Sequence, residues 1–147
     1  MDSTNALMQV VDSPALDRIA EPLSKAVRGA YDAAGPAGQR LKDAAHGVWL
    51  GHPLHPVFTD LPLGAWTTAL ALDCTANGDE GRRRAATFAM GVGLAGALGA
   101  AVTGLTDWSE TQGESRRTGL LHGLLNITAT TLFATSWAMR QRDSHDT

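Results

Sequence analysis

The sequence predicts an all-α fold, a polytopic membrane helical bundle of three spans preceded by two amphipathic interfacial helices. Charged residues are concentrated in four blocks, at 1–46, 79–84, 107–117 and after 139, and the stretches between them are nearly free of charge. Those stretches approach the roughly 20 residues that an α-helix needs to cross a hydrocarbon core ~30 Å thick. This segregation favours helices embedded in lipid, and an alanine-rich soluble helical domain is the alternative.

The composition bounds the class of protein. A chain of 147 residues allows one domain with a modest core. A formal net charge of -3, with no basic stripe interleaved with aromatic residues, argues against a nucleic-acid partner. The single cysteine, Cys74, excludes an internal disulfide and a multi-cysteine metal cluster. Residues 1–12 are polar, unlike a secretory signal, and we expect them to be disordered.

Residues 13–50 are predicted to form an amphipathic helical region. Ser13 is placed to cap the first helix, with Pro14 at its first position. Its apolar stripe recurs at helical spacing: Leu16, Ile19, Leu23, Val27, Ala30 and Ala34. Gly35 and Pro36 end this helix, and a second helix follows at about 37–49. Both helices fit a membrane interface or a partner surface, and a soluble amphipathic bundle is the alternative.

Residues 51–139 are predicted to form the transmembrane helical domain, followed by a polar tail at 140–147. Its spans are expected at about 57–76, 85–105 and 119–139. The first span holds Asp60, Pro62 and Asp73, and the proline is tolerated there if it falls in the first helical turn. Basic residues on the two sides of the spans are nearly balanced, so the orientation stays undecided.

The middle span carries five glycines, with small residues repeated four positions apart. In water each glycine would cost a helix about 0.8–1.0 kcal/mol relative to alanine. In lipid, small residues allow neighbouring helices to approach closely. Trp66, Trp108 and Trp137 lie within the spans or at their ends, as in an interfacial aromatic belt. The positions of the glycines and of the tryptophans therefore both favour helices embedded in a membrane.

The predicted topology brings polar residues from the ends of all three spans to one membrane level. The candidate polar cluster comprises His52, His55, Asp60, Asp107, Trp108, His122 and Asn126. His122 and Asn126 are four residues apart and therefore share a helical face. His46 and His145 lie outside the apolar segments, and we expect both to be solvated.

Three interpretations of this cluster stay open. In the first, the polar side chains only bond to one another and tie helix ends together, at about 0.6 kcal/mol per interaction. In the second, His52 or His55, together with His122, ligates a metal ion or haem b, since neutral imidazole binds both. In the third, Asp60 and a histidine exchange protons at a proton or quinone site. No nucleophile–base pair, phosphate loop or zinc-protease motif indicates a catalytic residue.

Three segments resemble an uncharacterised family of bacterial integral membrane proteins. They are residues 46–66, which contain a His-Pro-x-His-Pro motif, residues 103–108 and residues 122–126. The family is a domain of unknown function that is sometimes fused to a C-terminal Rieske iron–sulfur domain. The resemblance, which extends over about 16–139, implies a multi-pass protein of the bacterial plasma membrane. The resemblance does not imply an established activity. Our own expectation is an accessory or anchoring subunit of a Rieske-associated membrane redox system.

Two departures from that family pattern shape the expected partners. Family members usually continue into a fourth span, whereas this sequence has a polar tail there. Rieske-type ligand pairs of cysteine and histidine have no counterpart after Cys74. A redox centre would therefore come from a haem or from a redox partner subunit. Besides the lipid bilayer, a second copy of the chain is the other expected partner, because it could cover the glycine-rich face.

Overall fold

The computed structural model describes residues 11–143 and is all-α over that range, as the sequence predicts. Five α-helices and no strand occur among these residues. In chain order they are α1 (Asp17–Ala33), α2 (Gly35–His46), α3 (His55–Cys74), α4 (Glu80–Ser109) and α5 (Gly113–Asp143), with a 3-10 turn at Val48–Leu50 between α2 and α3. Predictions for 1–10 and 144–147, including most of the disordered start and His145, lie outside the described residues.

The start of α1 differs from the prediction. Helix α1 begins at Asp17, and Leu16 rather than Ser13 occupies its N-cap position without a side-chain hydrogen bond. The preceding residues form a turn in which the Leu16 amide donates to the Ser13 carbonyl at 3.1 Å. The Ser13 hydroxyl accepts a hydrogen bond from the Ala15 amide at 3.4 Å, so it serves this turn and leaves the helix uncapped.

Helix α2 is shifted from its predicted bounds because of Gly47. The helix begins at Gly35, carries Pro36 in its first turn and ends at His46, followed by the C-cap Gly47, whose φ of 79° is left-handed. A side chain at Gly47 would collide with the carbonyl oxygen of His52. Glycine is the residue that adopts this backbone conformation without steric cost, and it commonly terminates helices in this way. The predicted end at 49 was therefore three residues too late.

The chain divides into two compact units, which are described separately. Unit 1 comprises residues up to Leu54 together with Val102–Asn126, and so holds α1, α2, the end of α4 and the start of α5. Unit 2 comprises His55–Ala101 and the chain from Ile127 onward, and so holds α3 with the larger parts of α4 and α5.

In unit 1, α1 packs through its small and polar side. Ala20 and Ser24 are fully buried, whereas Ile19 and Leu23 on the predicted apolar stripe are 62% and 43% exposed. Spacing of three or four residues places Asp17 on the buried side too. The apolar stripe is therefore available to an environment outside the unit.

Unit 2 is a three-helix arrangement held together by close contact and aromatic stacking. Its buried core is Ala69, Ala86 and Met90. The rings of Trp66 and Phe133 stack with centroids 4.2 Å apart and planes inclined by 8°. Stacked aromatic pairs contribute about 0.5–1.5 kcal/mol beyond the area they bury.

The glycines of α4 allow this approach. A Cβ atom on Gly93 would collide with the Trp66 indole, and one on Gly96 would lie 2.6 Å from the Cβ of Leu61. A Cβ on Gly99 would collide with the Phe58 ring. The three glycines therefore line the surface on which α3 packs.

One helix of the described residues, α4, is long and apolar enough to cross a membrane. Only 28% of its most apolar window is buried within the structure. Helices α3 and α5 correspond in position to the other predicted spans, but prolines and Asp60 in α3 and threonines in α5 reduce their apolar character. The prediction of three spans is therefore not confirmed by helix composition.

Candidate functional site

His52 lies in the bend before α3 and is exposed. Its Nδ1 atom is 3.0 Å from the carbonyl oxygen of Pro53, the next residue. This contact fixes the ring relative to its own backbone, in unit 1.

Asp107, near the end of α4, pairs with a histidine that was not in the predicted cluster. Its Oδ1 atom lies 2.6 Å from Nδ1 of His46, and the two side chains are 30% and 25% exposed. The expectation that His46 is solvated was wrong, because α2 ends against the last turns of α4. One helical turn away, the Lys42 ammonium lies 2.6 Å from Glu110. A hydrogen bond and an ion pair therefore connect α2 to this end of α4.

The sequence contains one signal for these contacts, because the two basic residues and the two acidic residues are each separated by about one helical turn. Lys42 and His46 are four residues apart on one helix face, and Asp107 and Glu110 are three apart on another. Basic groups at helical spacing on one helix can pair with acidic groups at helical spacing on another when the two helices pack side by side. The fold prediction treated α2 as an interfacial helix and did not consider this partner.

Trp108 packs against the residues that connect α4 to α5 and bonds to the first turns of α5. Its indole Nε1 donates to the Arg116 carbonyl at 2.8 Å. The indole lies so close to Gly119 that a Cβ there would collide with it. Trp108 therefore acts in unit 1 as a packing and hydrogen-bonding residue of this turn.

His122 and Asn126 contact each other on one face of α5. The Asn126 amide donates to the His122 carbonyl oxygen at 2.8 Å and lies 3.1 Å from Nε2 of the same residue. Both side chains are exposed within the structure.

The remaining cluster residues belong to unit 2. His55 opens α3, and its Nδ1 atom lies 2.9 Å from the Ala100 carbonyl oxygen, which links α3 to α4. Asp60 follows on α3 and is exposed. His52, Asp107, Trp108, His122 and Asn126 lie in unit 1. That all seven residues form one cluster therefore stays a prediction.

Metal or haem ligation likewise stays a prediction. Across the part of the chain that the structure describes, no three His, Cys, Asp or Glu side chains come together in a way that could hold a metal ion. The pairwise contacts of these residues involve carbonyl oxygens, an amide and a carboxylate, which suit a role in packing.

A charge network, absent from the predicted cluster, joins α1 to the connection between α4 and α5. Arg117 donates to Asp17 at 3.0 Å, and Tyr31 lies 2.7 Å from the Thr106 hydroxyl. The Arg28 guanidinium donates to the carbonyl of Ser109, the last residue of α4. A cation at that end complements the negative pole of the helix dipole. Isolated charged residues on an amphipathic helix usually indicate a face in contact with solvent. The sequence pattern therefore did not predict these contacts.

Lysines in this region also stabilise two carboxylates in their charged form. Hydrogen bonding and proximity to Lys42 hold the pKa of Glu110 below its ordinary value of 4.5. Lys25, 2.7 Å from Glu21 and one turn along α1, holds the pKa of Glu21 below its ordinary value. Both carboxylates are therefore paired at neutral pH.

The family model described as a predicted membrane protein (DUF2231) matches residues 51–147, well over half of the chain. The chain belongs to the DUF2231 family. The resemblance to an uncharacterised membrane family is thus confirmed, and the protein is a predicted membrane protein of unknown function. The matched range contains α3, α4 and α5 of this DUF2231 protein. No curated protein and no solved structure matches the chain.

Proposed function

We propose that this DUF2231 protein is a multi-pass anchoring subunit of the bacterial plasma membrane, with α3, α4 and α5 crossing the bilayer. The main observation in support of this proposal is the exposed apolar face of α4. Phe88, Leu98 and Leu105 are 76%, 69% and 44% exposed. They cover about 25 Å of helix, close to the ~30 Å hydrocarbon core. The opposite face packs through glycine and alanine, so large apolar groups lie outside and small ones inside.

Helices α3 and α5 share this arrangement. Leu63 and Leu70 on α3, and Leu125 and Leu132 on α5, are each more than half exposed. Threonine hydroxyls on the same surfaces donate to carbonyls of their own helix, as Thr131 does to Ile127 at 2.8 Å. Hydroxyls bonded in this way need no water, which suits a lipid environment.

Helices α1 and α2 fit the membrane interface. Besides Ile19 and Leu23 on α1, Leu41 on α2 is 61% exposed and Trp49 in the 3-10 turn is 69% exposed. A helix with an exposed apolar stripe beside charged residues binds the boundary between headgroups and acyl chains, where tryptophan is also enriched.

The role we assign is that of an accessory or anchoring subunit in a membrane redox system. Support for a redox partner comes from the resemblance to proteins that are sometimes fused to a Rieske domain. The exposed apolar side chains of the described helices offer surfaces suited to anchoring. Electron transfer would then belong to a partner subunit.

Membrane topology tests the proposal through the exposed Cys74 at the end of α3. In spheroplasts, an impermeant maleimide reagent should modify Cys74 from one side, and Thr111→Cys in a Cys74→Ser background from the other. Leu98→Cys in the same background is the control and should react only after denaturation. Labelling of Cys74 and of Thr111→Cys from the same side, or recovery of the protein without detergent, would contradict the three-span arrangement.

A purely structural role for the polar residues is the second candidate, and their contacts favour it. His55 bonds a backbone carbonyl, Trp108 bonds another, and Asn126 bonds His122. Under this candidate, protein purified from its native membrane is colourless and metal-free, and His122→Ala lowers only its melting temperature. A Soret band that disappears in His122→Ala would support haem ligation.

A further inference from the structure

A polar pocket of about 450 Å³ lies in unit 1, where α1 meets the connection between α4 and α5. Three structural elements contribute to it. Its lining residues are Glu21, Lys25 and Arg28 of α1, Glu110 and Gln112 of the connection, and Gly113 and Arg116 of α5. Three of these side chains are cationic and two are acidic, and none is a large apolar residue. The pocket therefore suits a small charged group.

Arg116 brings a largely buried and weakly paired guanidinium group to the lining of the pocket. Its side chain is only 13% exposed, and among the described residues 11–143 its buried Nε atom has no hydrogen-bond partner. The contacts of its guanidinium are long, at 3.4 Å to Asp17 and 4.0 Å to Glu21. A buried donor without a partner is costly, and in native proteins it commonly indicates a bound water or ion.

The acidic lining residues leave the cations available. Glu21 pairs with Lys25 at 2.7 Å, and Glu110 pairs with Lys42, which lies outside the lining, at 2.6 Å. The remaining positive charge of the lining comes from Arg28, which also donates to the Ser109 carbonyl, and from Arg116, which also contacts Asp17. Two guanidinium groups on different helices present several N–H donors, an arrangement that suits the oxygens of a phosphate group.

The backbone at the start of α5 also favours a bound phosphate group. Helix α5 begins at Gly113, a lining residue, and the first turn of a helix leaves N–H groups without intrahelical acceptors. In a 31-residue helix these groups form the positive pole of the dipole. Phosphate groups bind at such termini when side-chain cations accompany them.

We propose that this pocket binds a phosphate ester, supplied by the headgroup of a membrane phospholipid. The phospholipid as source rests on the proposed function, because the connection between two spans lies at headgroup level. Soluble phosphate esters carry the same chemical group, and the experiment below separates the two sources.

The test uses the full chain purified in a maltoside detergent, which carries no phosphate. Dihexanoyl phosphatidylglycerol, glycerol 3-phosphate and dihexanoylglycerol are titrated separately, and the melting temperature reports binding because a ligand of the native state stabilises it. We expect the phospholipid to raise the melting temperature at the lowest concentrations and dihexanoylglycerol to have no saturable effect. Equal potency of glycerol 3-phosphate would overturn the lipid as the source.

Arg116→Gln and Arg117→Gln form a matched pair of variants. Both arginines contact Asp17 and are 13% and 17% exposed, but only Arg116 lines the pocket. Arg116→Gln should weaken phospholipid binding about tenfold, as the loss of a charge-assisted contact does, and Arg117→Gln should leave binding unchanged. Equal effects of the two substitutions would overturn the pocket as the binding site.

A second pair of variants keeps the test valid if Arg116→Gln fails to fold. Lys25 is 65% exposed and lines the pocket, whereas Arg18 is exposed on the same helix and does not. Lys25→Gln should weaken binding several-fold and Arg18→Gln should not.

Resistance of each variant to carbonate extraction is measured in parallel. Protein that stays in the membrane but binds no phospholipid overturns this inference alone, and protein that is extracted overturns the proposed function.

Discussion

At the scale of single residues, a bidentate ion pair in unit 2 joins Asp73 of α3 to Arg140 of α5. Two guanidinium nitrogens of Arg140 lie 2.8 and 2.6 Å from the two carboxylate oxygens of Asp73. The side chains retain 28% and 30% exposure, so the pair is partly shielded from water. Bidentate pairs of this kind hold both position and orientation.

Arg140→Gln should therefore lower the free energy of unfolding by about 1 kcal/mol, the upper end for a partly exposed ion pair. Asp73→Asn should cost a similar amount, and the double variant should cost little more than either single one. Unfolding in detergent micelles, followed by circular dichroism, measures the cycle. Arg142→Gln, an exposed residue two positions away, is the control. Strictly additive losses would argue against a coupled pair.

At the scale of elements, packing of α3 on α4 depends on glycines at the contact. Gly93 faces the Trp66 indole at a distance that excludes any side chain, whereas Gly64 of α3 has open space around it. The sequence predicted close helix approach from the glycine pattern of the middle span. It did not identify which aromatic rings fill the grooves, because this depends on the rotation of α3 about its axis.

Substituting each of these glycines with alanine should give opposite results. Gly93→Ala forces the Trp66 ring to move and should destabilise the fold by about 1–3 kcal/mol, the usual cost of overpacking. Gly64→Ala adds helix propensity without a clash and should stabilise by up to about 1 kcal/mol. Melting temperatures of the two variants in one detergent provide the measurement. A Gly93→Ala protein as stable as Gly64→Ala would disprove the close contact.

Attachment of α2 to the end of α4 should depend on pH through Glu110. Because Lys42 lowers the pKa of Glu110 in the folded state, the stabilisation is complete above the ordinary value of 4.5. It is lost as the pH falls through the lowered value. Melting curves of the native protein and of Glu110→Gln should therefore differ at neutral pH and converge in acid well below 4.5. A difference that persists unchanged in acid would exclude the Lys42–Glu110 pair as its origin.

At the scale of the whole molecule, the outward placement of large apolar side chains suits a lipid environment. Leu98 is 69% exposed near the middle of α4. In water, Leu98→Arg would change stability by less than about 0.5 kcal/mol, as surface substitutions usually do. At the centre of a bilayer an arginine costs about 2.5–3.5 kcal/mol on insertion scales.

We therefore expect Leu98→Arg to reduce the fraction of protein integrated in the membrane. The matched control is Ser115→Arg, which places the same side chain at an exposed position of the first turn of α5. Carbonate-resistant protein in membrane fractions, compared at equal expression, measures the effect. Normal integration of Leu98→Arg would count against α4 as a span.

The sequence by itself determined the helical class, the approximate positions of the five helices and the membrane family. These follow from local patterns, namely apolar periodicity, charge-free stretches of about 20 residues, and the motif of residues 46–66. The tertiary structure decided which polar groups meet. His46 pairs with Asp107, and Arg116 lines a pocket with Arg28, across more than 60 and 80 residues of sequence. Helix periodicity fixes which residues share a face, but the rotation and docking of each helix determine what that face contacts.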